Sequence, residues 1–159
     1  MASNTFMNDV GDLPVQENAR ADAAVHAGHG HVLLHHEALA PAGAQALQAV
    51  PVTDVCMSVV TKAELLYGVE VSPRRNQDAT ALAAFLPYVE VLDLPDEATT
   101  HYAEIRADLK KRGAMIGAYD LFIAAHARAL GLTLVTNNTA EFERVKSLAL
   151  DNWTRPVRR

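Results

Sequence analysis

The sequence predicts an α/β domain built on a mostly parallel sheet with helices on both faces. Beyond Pro51, short apolar runs of strand length alternate with longer segments of helical period, the pattern of repeated strand-to-helix units. Glycine or proline closes most of those units, as expected where helices stop. With 50% apolar residues in 159, the chain can bury one core and fits a single domain with a tail.

The first unit joins an apolar strand, Val55 to Val60, to a helix that Thr61 opens, Leu65, Leu66 and Tyr67 continue, and Gly68 stops. A polar turn at Ser72, Pro73 and Arg74 leads into a helix through Leu82, Phe85 and Leu86, which Pro87 ends before a strand from Val89 to Leu94. Pro95 and Asp96 start a longer helix. Tyr102, Ile105 and Leu109 share one of its faces, and its last turn is basic before Gly113. A small-residue helix from Ala118 to Leu130 is closed by Gly131, and Leu132 to Val135 reads as a buried strand. A helical turn at Glu141 to Val145 and a strand near Leu148 to Leu150 complete the pattern.

Residues 1 to 48 differ. Met1 to Asp22 is polar and acidic without a period, and the stretch to Gln48 is rich in Ala, Gly and His. This segment is expected to be poorly ordered and to lie outside the domain, which is placed at residues 49–159. It holds a net −4 of the chain's −5. The rest is nearly neutral, which does not advertise nucleic-acid binding, and any such contact would need local patches such as Lys110, Lys111 and Arg112, the pair Arg74 and Arg75, or Arg155, Arg158 and Arg159. Taken singly, each patch reads more simply as a solvated helix end or tail. No apolar run reaches the roughly 20 residues of a membrane span and no signal peptide stands at the N-terminus, so a cytoplasmic location is expected. Cys56, the single cysteine, sits in an apolar run and is expected to pack as a small hydrophobe.

Ligands of open parallel sheets gather at the carboxyl ends of strands, which singles out Glu64, Asp120 and the cluster Thr136, Asn137, Asn138 and Glu141. Glu64 also completes a capping box with Thr61, and that local role competes with a role in chemistry. Asp120 shares a helix face with Ile123, Ala124 and Ala127. A carboxylate turned inward there needs a cation or several donors. Carboxylate and amide oxygens from separate strand ends suit a hard cation such as Mg²⁺, which can activate water and neutralise phosphoryl charge.

Three runs carry a family resemblance: Val59-Val60-Thr61-Lys62-Ala63-Glu64-Leu65-Leu66-Tyr67-Gly68, Ile116-Gly117-Ala118-Tyr119-Asp120-Leu121-Phe122-Ile123-Ala124-Ala125-His126-Ala127, and Leu134-Val135-Thr136-Asn137-Asn138-Thr139-Ala140-Glu141-Phe142. In order and spacing they resemble the downstream motifs of VapC toxins. The resemblance implies a PIN-like three-layer α/β/α fold, an endoribonuclease dependent on Mg²⁺ or Mn²⁺, a homodimer, and a cognate VapB antitoxin. It implies Glu64 and Asp120 as acidic site residues, Asn138 where many relatives carry a further Asp, Glu141 beyond it, and Thr136 orienting the cluster. Asp120, Glu64 and Asn138 would be the metal ligands.

The family's first strand ends in Asp-Thr-Asn, and no such motif stands here. Leu33-Leu34-His35-His36-Glu37 is the nearest imitation, with His for the acid, which leaves the first strand and first catalytic carboxylate in question. The stretch Phe6 to Glu17 resembles the acidic C-terminal tail of a VapB antitoxin. A reading-frame slip over residues 26–48 would then hide the motif, with its Asp at Gly28. A rival function is a catalytically inactive remnant that dimerises or binds antitoxin; a DNA-cutting nuclease is a third class. The histidines His26, His29, His31, His35 and His36 suit zinc, copper or nickel chemically, but no regular element is expected to order them. His101 and His126 read as packing residues.

Overall fold

The computed structural model describes residues 32–39 and 50–153. Five strands, β1 (Val32–Leu34), β2 (Val55–Ser58), β3 (Glu90–Leu92), β4 (Thr133–Val135) and β5 (Leu150–Asp151), form one sheet in the order β3-β2-β1-β4-β5. Every neighbouring pair is parallel. The helices are α1 (Val59–Glu70), α2 (Arg75–Phe85), α3 (Glu97–Arg112), α4 (Ala118–Leu130) and the single turn α5 (Thr139–Phe142).

The first strand is present, in the frame as written, which corrects the expectation that it was in question. Val32–Leu34 is the central strand, with Leu33 paired to both Cys56 and Leu134. Leu33 and Leu34 are fully buried. A three-residue strand enclosed on both edges needs only apolar side chains, so it leaves no alternating pattern to read. The domain therefore begins before residue 49. The antitoxin-like stretch 6–17, His26, His29, His31, residues 40–48 of the shifted frame, and Arg155, Arg158 and Arg159 lie outside the described residues.

Successive strand residues point to opposite faces and divide the core in two. Leu34, Met57 and Val135 pack with Val69 of α1 and Leu82 and Phe85 of α2. On the other face Leu33, Cys56 and Leu134 meet Ile105 and Leu109 of α3, Leu121 and Ile123 of α4, and Phe142. Cys56 is inert in this setting: burial, then the Glu90 charge, pushes its thiol up to about 12, and Sγ donates to the Val32 carbonyl at 3.3 Å.

Gly113 and Gly131 close α3 and α4 as expected, at φ 62° and 64°, with their N–H groups bonded back into the last turn. At α1 the expectation fails. Sheet pairing stops at Ser58 opposite Leu92, and Ser58, not Thr61, is the cap, its Oγ accepting from Val60 N–H at 3.1 Å. Val59 and Val60 look like strand because they are β-branched, yet they form the first turn of a helix that runs past Gly68 to Glu70.

β2 and β3 lie to one side of β1, and β4 and β5 to the other. The chain therefore changes winding direction between β1 and β4, and the crevice where such sheets bind ligands falls at their carboxyl ends.

Candidate active site

His35 is the first residue beyond β1, and its backbone N–H donates to the Val135 carbonyl at 2.9 Å. Its side chain is 1% exposed. Nε2 lies 3.1 Å from Asp120 Oδ1 and Nδ1 lies 3.2 Å from Thr136 Oγ1. Thr136 Oγ1 also accepts the Asn138 N–H at 3.0 Å. A carboxylate can only accept, so the network assigns the proton of a neutral His35 to Nε2, with the Thr136 hydroxyl donating to Nδ1. Phe142 meets the ring edge-on at a centroid distance of 5.1 Å, and the His36 ring lies 4.1 Å away.

Glu64 enters from α1. With Ser58 as cap, Thr61 is buried inside the helix and the expected capping box does not form, so the Glu64 carboxylate is available to the crevice. Its Oε2 lies 3.2 Å from His36 Nδ1. Burial pushes the Glu64 carboxyl up, His35 opposes that shift, and the Asp120 charge adds to it. Asp120 moves the other way: the His35 hydrogen bond holds it low against burial, and the neighbouring His35, His36 and Glu141 side chains act in the same direction. Two nearby carboxyls displaced in opposite directions mark a candidate site. Gly117 leaves room for this geometry, because a Cβ there would stand 2.9 Å from Asp120 Oδ2.

Of the residues singled out in the sequence, Glu64, Asp120 and Glu141 thus converge with His35, and Thr136 holds the His35 ring. Asn138 contributes its main-chain N–H to Thr136. His35 and His36 emerge as central, although the sequence marks them as the imitation of a missing acid and as part of a histidine cluster that no regular element was expected to order. Their signal is position: a polar pair directly after an apolar triplet. His101 and His126 do pack elsewhere, His101 Nδ1 accepting from Arg128 Nε at 2.8 Å and His126 Nδ1 lying 3.0 Å from Ser58 Oγ. Among the basic patches, Arg112 is tied to Asp108 and the Arg144 carbonyl, and Arg75 to Glu70. Lys110 and Lys111 are exposed on the last turn of α3.

A PIN domain family model matches residues 31–148. The chain belongs to the PIN-domain family. It is 43% identical over 100 residues to the tRNA(fMet)-specific endonuclease VapC of Shigella flexneri, covering 63% of this chain and 76% of that protein. It is 42% identical over 99 residues to Ribonuclease VapC2 of Rickettsia felis, covering 62% and 74%. Membership therefore extends to the VapC ribonucleases within the PIN family. Solved structures agree: VapBC2 of Rickettsia felis bound to a promoter DNA fragment superposes with a TM-score of 0.70 at 35% identity, covering 77% of this chain and 98% of that one. DNA-bound VapBC of Salmonella typhimurium gives 0.72 at 30%, covering 79% and 99%.

PIN nucleases of the VapC kind generally depend on a divalent metal. Here one ligand atom from each of His35, His36 and Glu64 lies within 4.8 Å of the others. Mg²⁺ favours an octahedron of oxygens at about 2.0–2.1 Å. Two of these three donors are imidazole nitrogens, which favour softer ions. The residues present do not fit Mg²⁺.

Proposed function

We propose that this chain is an endoribonuclease toxin of a toxin-antitoxin pair whose Mg²⁺-supported cleavage of RNA is impaired by His35. Family membership supports the nuclease class. The single observation that carries the impairment is His35 itself, at the carboxyl end of the central strand, buried and bridging Asp120 to Thr136. An imidazole there adds no negative charge to attract a hard cation. Within this reading Asp120, Glu64 and Glu141 supply the negative charge of the site, Thr136 orients His35, and Asn138 steadies Thr136 through its main-chain N–H. Mg²⁺ or Mn²⁺ is the ion that the family resemblance implies, and the donors of this chain argue against it.

The partner is a VapB-type antitoxin, as in the complexes with the VapBC relatives. Leu66, Tyr67 and Val71 of α1 and its cap, with Met115 and Tyr119, are large apolar side chains left exposed, and such surfaces suit an antitoxin or a second copy of the chain. A homodimer in the cytoplasm is consistent with that role. Among the described residues no helix is long and apolar enough to cross a membrane.

Cleavage of a labelled RNA by the antitoxin-free chain in Mg²⁺, compared with His35→Asp, tests the reading. The wild type should cleave feebly and His35→Asp at least about tenfold faster, equivalent to ~1.4 kcal/mol of barrier. A variant no faster than the wild type would overturn the role given to His35. An inactive remnant would cleave in neither form.

A further inference from the structure

We propose that the crevice beyond β1 is a binding site for a divalent transition ion of the Zn²⁺ class, held by His35, His36 and Glu64 with Asp120 beside His35, in preference to Mg²⁺. The location is that of the ribonuclease site above, but the assignment concerns ion chemistry and stands whether or not RNA is cut.

Distances between ligand atoms carry the assignment. Adjacent donors bound to one small ion at about 2.0–2.1 Å stand about 3.0–3.5 Å apart, the edge lengths of an octahedron or tetrahedron. His35 Nε2 and Asp120 Oδ1 are 3.1 Å apart, and His36 Nδ1 and Glu64 Oε2 are 3.2 Å apart. His35 links the two pairs, because one ligand atom from each of His35, His36 and Glu64 falls within 4.8 Å of the others. Two imidazoles and one carboxylate form a donor set that selects zinc, nickel, cobalt or ferrous iron over magnesium.

A second observation concerns the outer contacts. A metal-ligating histidine commonly has its other nitrogen held by a neighbour that fixes the ring. Thr136 Oγ1 stands 3.2 Å from His35 Nδ1, on a residue fully buried at the end of β4. When an ion takes Nε2, the proton there leaves and a neutral ring carries its proton on Nδ1. The Thr136 hydroxyl then accepts from Nδ1 instead of donating to it, and its remaining lone pair still accepts the Asn138 N–H. Asp120 Oδ1, relieved of the Nε2 proton, stays beside the ion as a negative charge.

Co²⁺, whose visible bands report nitrogen and oxygen ligation, is the probe, with the full-length chain and no RNA. One Co²⁺ per chain should bind with d–d bands, Zn²⁺ should displace it, and about a thousandfold excess of Mg²⁺ should not. His36→Ala and Glu64→Gln should each weaken binding at least about tenfold, with circular dichroism confirming the fold. A variant with His26, His29 and His31 all changed to Ala should bind as the wild type does. Bands unaffected by His36→Ala and Glu64→Gln, bands lost in that triple variant, or ready displacement by Mg²⁺ would each overturn the assignment. Because uptake is read without RNA, such a result leaves the ribonuclease reading standing, whereas failure of His35→Asp to speed cleavage leaves the ion site standing.

Discussion

His35 and His126 are both buried, 1% and 0% exposed, yet they occupy opposite kinds of environment. His126 lies on α4 between apolar neighbours, with Nδ1 near Ser58 Oγ, while its Nε2 has no hydrogen-bond partner among the described residues. Burial alone pushes its pKa down. His35 has both nitrogens engaged, by side chains that arrive from α4 and from the end of β4. Burial therefore does not separate a structural histidine from a site histidine. What separates them is how many polar side chains from different elements converge on the ring, since only a convergent set can hold a charged ligand.

The largest effect is expected from removing the carboxylate that His35 meets. In the faster-cleaving His35→Asp background, Asp120→Asn should reduce RNA cleavage to background while circular dichroism stays unchanged, because the substitution removes charge but not volume. Wild-type rates in that double variant would take Asp120 out of the site. His126→Ala should instead cost about 2–3 kcal/mol of stability in urea unfolding, through the cavity and the lost bond to Ser58, with Co²⁺ uptake unchanged. His35→Ala should show the converse, with uptake lost.

A smaller change is expected at Thr136. Thr136→Val keeps the shape of the side chain but removes the hydroxyl that positions His35, and should weaken Co²⁺ binding by about tenfold. Unchanged affinity would reduce Thr136 to a loop residue. The smallest effect is a pH dependence. The folded pKa of His126 is depressed below its ordinary value of 6.5, so the folded state binds fewer protons than the unfolded one below that pH. Stability from this group is present above pH 6.5 and is lost as pH falls toward the folded pKa. Urea midpoints taken between about pH 7 and pH 5 should decline in the wild type more steeply than in His126→Ala; equal slopes would show that His126 does not titrate in this way.

Sequence by itself determined α3, α4 and the alternation of layers, because these rest on local rules. The amphipathic face of Ile105 and Leu109, the stop glycines Gly113 and Gly131, and the apolar run before Thr136 each act within a few residues. It also singled out Glu64, Asp120, Glu141 and Thr136 by their places near strand ends. What no local rule reached is that Val32–Leu34 is the central strand, that Ser58 rather than Thr61 caps α1, and that His35 meets both Asp120 and Thr136. The physical reason is range. Three apolar residues become a strand only when β2 and β4, distant in the chain, close around them, and a cap is chosen where sheet pairing ends. Parallel pairing is non-local, so the residue it delivers to the crevice cannot be read from its own neighbours.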